Sequence, residues 1–258
     1  MLKFVFISLL LSFVLSLLPG GNYVLYPFKL FTTWAHECSH AVMAICMGGV
    51  VQKITLEPDT SGLTYFKLPK SRFRHSMVAS AGYLGSCLVG CLIYYFSTVM
   101  SARSPLLISG IGVAMLLSLL MWMRNTFAVV TVLGLGAGMI YLGQHPPQTS
   151  LFQHVLPFLG LQTGLNSLLD LKVLFGVKSK SDAHTMKSLF WLPAAFWALL
   201  WIALSVTLMG WTISRSLNAS DRAIIHALKY PDPARAAAAA RKSDGAAAAA
   251  RKTAALSD

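Results

Sequence analysis

Apolar runs long enough to cross a lipid bilayer recur along almost the whole of this 258-residue chain. They fall at roughly 2 to 18, 24 to 50, 76 to 100, 105 to 123, 126 to 142, 150 to 176 and 188 to 213, and a helix needs about 20 residues to span the hydrocarbon. Only 12% of the residues are charged and the mean hydropathy is +0.62, outside the range of ordinary soluble domains. The expected fold is an all-α polytopic transmembrane bundle of six or seven helices, residues 1 to 213. The first run could be read as a signal peptide, but it is long for one and Leu-Leu-Pro-Gly-Gly offers a poor cleavage site. A retained helix is expected.

The formal net charge of +12, from 21 Lys and Arg against 9 Asp and Glu, would raise the question of nucleic acid in a soluble protein. Here it is a topology signal, because cations collect on the cytosolic side of membrane proteins. With seven spans, Lys3, the 53 to 74 loop, Arg124, Lys178, Lys180 and Lys187 share one side, and only Lys29 and Arg103 lie opposite. The N terminus and the 53 to 74 loop are therefore expected in the cytosol, with the lipid bilayer as partner and no nucleic acid. The cation-rich tail then falls on the wrong side unless one segment fails to cross; the weakest is 126 to 142, with Gly134, Gly136 and Gly138.

One soluble insert interrupts the apolar chain, at about 50 to 74. Its Val, Ile, Thr, Leu and Tyr flank a Pro-Asp-Thr-Ser-Gly turn, which predicts a β-hairpin at the membrane edge. After residue 213 the composition shifts to alanine blocks followed by Arg-Lys, a low-complexity tail (214 to 258) expected to be disordered or loosely bound to anionic lipid. Cys38, Cys46, Cys87 and Cys91 all lie in predicted helices without metal or disulfide spacing and are read as small packing residues.

Within the second apolar run stands WAHECSHAVMA, residues 34 to 44. An ionisable group in a bilayer costs roughly 2.5 to 3.5 kcal/mol even on the lenient insertion scale, so three in five residues need a reason. His36 and His40 are one helical turn apart on one face, a spacing that lets both imidazoles reach one zinc ion, with Glu37 placed to take a proton from water. The composition makes a chance HExxH match improbable, roughly 0.0015 expected occurrences. Of the nine acids only Glu37 and Asp170 fall within apolar spans, which makes Asp170 the candidate third ligand. Asp170 shares a polar stripe with Gln162 and Asn166. His40 and Asp170 also lie at matching depths, about 12 Å and 9 Å from their helix ends. Asn166 has two readings, a hydrogen bond to substrate or one to a neighbouring helix. Gly82, Ser86 and Gly90 form a small-residue ridge through which another helix can approach the HExxH helix.

HECSHAVMAICMGG, the ITLEPDTSGLTY hairpin, AGYLGSCLVG at 81 to 90, LNSLLDL at 165 to 171, SDAHTM at 181 to 186 and the tryptophan-rich last helix together resemble the site-2 protease-like zinc metallopeptidases. The likeness is to their B-like branch and covers most of residues 30 to 213. It implies an intramembrane metalloprotease acting on transmembrane protein substrates, with one Zn2+ on His36, His40 and Asp170 and Glu37 as general base. Better-known members have Asp-Gly where this chain has Asp170-Leu171, and a proline upstream that is missing here. Two other readings stay open: a catalytically silent membrane adaptor of the same fold, and a transporter.

Overall fold

A computed structural model of the chain describes residues 2–147, 152–169 and 182–229. By contacts it divides into two compact units, Met1–Ser216 and Leu217–Asp258; most of the second, where the low-complexity tail was expected, lies outside the described residues. The described residues form eight helices and one two-stranded sheet. The helices are α1 (Leu2–Leu17), α2 (Gly21–Cys46), α3 (Arg72–Val99), α4 (Ser104–Trp122), α5 (Thr126–Gln144), α6 (Phe152–Leu169), α7 (Asp182–Leu189) and α8 (Ala194–Lys229). The strands are β1 (Val50–Leu56) and β2 (Gly62–Lys67).

This is the expected helical membrane bundle with a hairpin insert. By length and apolarity alone four helices can each span a bilayer, namely α3, α4, α5 and α8, or five spans if the bent pair α1–α2 counts as one. The expected weak segment, α5, is among them. Neither α2 by itself nor α6 is among them, and both carry polar groups described below.

Pro19-Gly20-Gly21 ends α1 and turns the chain by 118° into α2. Gly20 has φ +84°, a left-handed value that favours glycine, and a side chain on Gly21 would collide with the carbonyl of Leu15. α1 folds onto the bundle, its Ser12 hydroxyl donating to Gln162 Oε1 of α6 at 2.6 Å.

Two seams rest on glycine. α4 and α5 form a hairpin in which a Cβ on Gly112 would lie 2.5 Å from the carbonyl oxygen of Gly136. Ala128, Val132 and Gly136, spaced four apart, are the buried stripe of α5; Gly134 and Gly138 face open space. The expected ridge on α3 serves two partners rather than one. Gly82 lies against α2, whereas a Cβ on Gly90 would lie 2.6 Å from both Gly160 O and Gly164 N of α6. Gly85, which the four-residue spacing skips, also meets α2, at Ser39.

The hairpin is antiparallel with a bulge at Gln52. In its turn Asp59 Oδ1 accepts from both the amide and the hydroxyl of Ser61, at 2.9 and 2.6 Å. Its inner residues Ile54 and Leu56 are fully buried in the cluster that includes Phe31, Trp34 and Ala35 of α2. The α4–α5 connection closes the outer edge of β1. Asn125 donates to Leu56 O at 2.6 Å and accepts from Leu56 N at 3.2 Å, a side-chain amide acting as a strand partner. Arg124 N donates to Ile54 O at 3.3 Å. Among the described residues nothing pairs with the outer edge of β2.

Candidate metal centre

The turns of α2 around residue 36 present two faces with different tasks. His36 and His40, one turn apart, face α3 and α7; Glu37, about 100° round the helix, faces the hairpin. The two imidazole Nε2 atoms lie 3.0 Å apart. Gly82 makes this possible, because a Cβ there would stand 2.4 Å from His40 Nε2 and 2.5 Å from His36 Nε2.

The third member is Asp182, the first residue of α7, whose Oδ2 lies 3.1 Å from each Nε2. Ala183 and Met186 bury α7 against Ala79 and Tyr83 of α3 and Trp201 of α8, which holds Asp182 over the histidines. The helix start suits a carboxylate, since its free amides and dipole favour negative charge. Burial alone would raise the Asp182 carboxyl, but the two imidazoles, His40 foremost, outweigh it and hold the group well below the usual carboxylate range.

The donor set fits a zinc ion. The three atoms stand 3.0 to 3.1 Å apart, slightly inside the edge of about 3.4 Å spanned by a tetrahedral ion with bonds near 2.1 Å. His40 Nδ1 is 2.7 Å from Val78 O. Donating its proton there leaves the Nε2 lone pair to face the cluster, the outer support that metal-binding histidines ordinarily have. His36 is packed edge-on to Tyr83, ring centres 4.8 Å apart, and Tyr83 stacks on Trp201. Among the described residues no other group of three such side chains converges.

The structure thus unites His36 and His40 as the spacing predicts and adds Asp182. Asp170, the third ligand expected from sequence, lies outside the described residues. Asp182 is not singled out by the sequence argument because it stands outside the apolar spans, at the start of the short polar helix α7. The available signal is SDAHTM itself, whose aspartate is the first residue of a short helix. Glu37 is 5% exposed and accepts a hydrogen bond from Thr64 of β2 at Oε2, 2.6 Å. Asn166 donates to Thr32 Oγ1 of α2 at 3.3 Å and accepts from Gln162 at 3.3 Å, the neighbouring-helix reading of that residue. Cys87 and Cys91 are buried beside Met209, and none of the four cysteines is in a disulfide.

Residues 6–212 match the family model described as Peptidase M50B-like. No curated protein and no solved structure matches the chain.

Proposed function

The chain belongs to the Peptidase M50B-like family, and from that premise we propose that it is an intramembrane zinc metalloprotease of the HExxH type. The observation that carries the reading is the convergence of His36, His40 and Asp182 on one point beside Glu37, in a chain of apolar helices. His36, His40 and Asp182 would hold one zinc ion. Zinc, when bound, supplies a Lewis acid that polarises the scissile carbonyl and makes water nucleophilic near neutral pH. Glu37 would take one proton from the attacking water and return it to the departing nitrogen as the C–N bond breaks; the second proton, left on the new carboxyl group, passes to the amine, so the products are a carboxylate and an ammonium.

A transmembrane substrate has to unwind before its backbone can be attacked. The open edge of β2 offers such a segment a strand partner beside Glu37, whereas the edge of β1 is already taken by Asn125. Asn166 supports the α2–α6 contact one turn from His36. In this reading the N terminus and the hairpin loop are cytosolic.

The test uses the purified full chain in detergent. Wild-type protein is expected to hold one zinc per chain and to cleave a membrane-embedded test substrate. Glu37→Gln should keep the zinc and lose at least about 100-fold in kcat, the lower range for a general base. Zinc-free wild type, or cleavage indifferent to Glu37→Gln, would refute the reading. Zinc with client binding but no cleavage would make the chain an adaptor.

A further inference from the structure

The hairpin is fastened along α2 at three places. Tyr26 and Thr33 hydroxyls donate to the carbonyls of Pro58 and Thr60, each at 2.7 Å. At the third the direction reverses, and the strand donates to the helix. Thr64 Oγ1 stands 2.6 Å from Glu37 Oε2 and 3.0 Å from the Glu37 carbonyl oxygen. A hydroxyl has one proton, and the shorter contact, to the side-chain oxygen, takes it. No hydrogen bond reaches Glu37 Oε1 among the described residues, so one carboxylate oxygen is anchored and the other is left to accept a proton.

The neighbouring positions keep this contact in place. A Cβ on Gly62, two residues before Thr64 and on the same face of β2, would lie 2.7 Å from Glu37 Cγ and 3.0 Å from Oε1. Any larger residue would push the carboxylate aside. Thr64 pairs with Ile54 in the ladder, and Ile54 and Leu56 are held from behind by Arg124 N and the Asn125 amide. The hydroxyl therefore sits on a braced strand rather than on a free loop.

We infer that Thr64 is the positioning residue of the catalytic base, fixing the Glu37 carboxylate so that Oε1 faces the nucleophilic water. This rests on the peptidase reading, since a base needs positioning only where a proton is moved. The hairpin then acts inside the catalytic apparatus as well as beside it, and a substrate strand adding to β2 lies against the strand that holds the base.

Thr64→Val keeps the shape and removes the donor; Thr64→Ser keeps the donor. In the full chain Thr64→Val is expected to lower kcat by about 10- to 100-fold, part of what a general base contributes, with KM and zinc content unchanged. Thr64→Ser should restore kcat to within a few-fold. A second readout is independent of turnover. Glu37 and Glu57 are the only glutamates, so 13C-glutamate labelling of a Glu57→Gln chain isolates the Glu37 carboxylate in the infrared. At fixed neutral pH its stretching band should shift in Thr64→Val and return in Thr64→Ser. An unmoved band, or a Ser variant as impaired as the Val variant, overturns the inference. If wild type cleaves nothing, the peptidase reading fails by itself; a band that shifts and returns would still establish the positioning contact.

Discussion

The seam between α2 and α3 and the seam between α4 and α5 use the same device for different ends. In each, a glycine lets another helix come closer than any side chain would allow. At Gly112 of α4 the space is filled by backbone, the Gly136 carbonyl 2.5 Å from where a Cβ would stand. At Gly82 of α3 it is filled by the edges of two imidazole rings. The first is helix packing of the kind membranes favour where no hydrophobic drive exists between apolar surfaces; the lipid-side residues Leu117, Leu120, Val130 and Leu133 are exposed. The second spends the same closeness on placing nitrogen atoms. Side chains can swing away from an intruding methyl and a helix backbone cannot, so equal insertions should have unequal consequences in the two seams.

Gly82→Ala is the sharpest way to test that contrast. Its Cβ would occupy the position 2.4 to 2.5 Å from both Nε2 atoms, and the rings should turn aside while the helices stay put. Zinc content in the purified variant is expected to fall to background, with a melting temperature close to wild type. Gly112→Ala should do the reverse. Overpacking against backbone costs about 1 to 3 kcal/mol, more than the roughly 1 kcal/mol of helix propensity that alanine returns. Its melting temperature should drop while the folded fraction keeps stoichiometric zinc. Zinc retained in Gly82→Ala would show that the α3 contact is packing and nothing more.

The acidic member of the site extends the functional seam to a third helix. Asp182→Asn should weaken zinc binding by at least about 100-fold, beyond the 10- to 100-fold typical of groups that only support a ligand. Asp170→Asn, assayed alongside by competition with a chelator, is the discriminating control. If its loss equals or exceeds that of Asp182→Asn, the third ligand is the one expected from the apolar spans.

This pair also shows where legibility ended. His36, Glu37 and His40 could be read because the helical period alone puts two imidazoles on one face and the carboxylate on the next. The hairpin could be read because its turn residues permit little else, and the all-α bundle because apolar runs of that length have few other uses. Asp182 could not be chosen, because its position depends on Ala183 and Met186 docking against Tyr83, contacts between elements more than 80 residues apart in sequence. The ridge of small residues was visible as a ridge. Its division, Gly82 toward the histidines and Gly90 toward Gly160, follows from which helices flank α3, and spacing on one helix carries no such information.

A third seam, between α2 and α6, uses neither glycine against backbone nor glycine against imidazole at the point nearest the site. It is joined there by hydrogen bonds, Asn166 to Thr32 and through Gln162 to Ser12 of α1. Thr32 lies one turn before His36, so the seam could matter to the site or merely to the bundle. Side-chain hydrogen bonds between membrane helices average only about 0.6 kcal/mol, because the separated helices find other partners. The Asn166–Thr32 contact, at 3.3 Å and between neutral groups, belongs at the weak end. Asn166→Ala is therefore expected to lower stability by less than about 1 kcal/mol and to leave zinc affinity within two-fold of wild type. With an active preparation, a loss of kcat in Asn166→Ala at unchanged stability and zinc content would move Asn166 from the bundle to the substrate. Such a result would also mean that the α2–α6 seam, like α2–α3, spends its closeness on chemistry, leaving α4–α5 as the purely structural one.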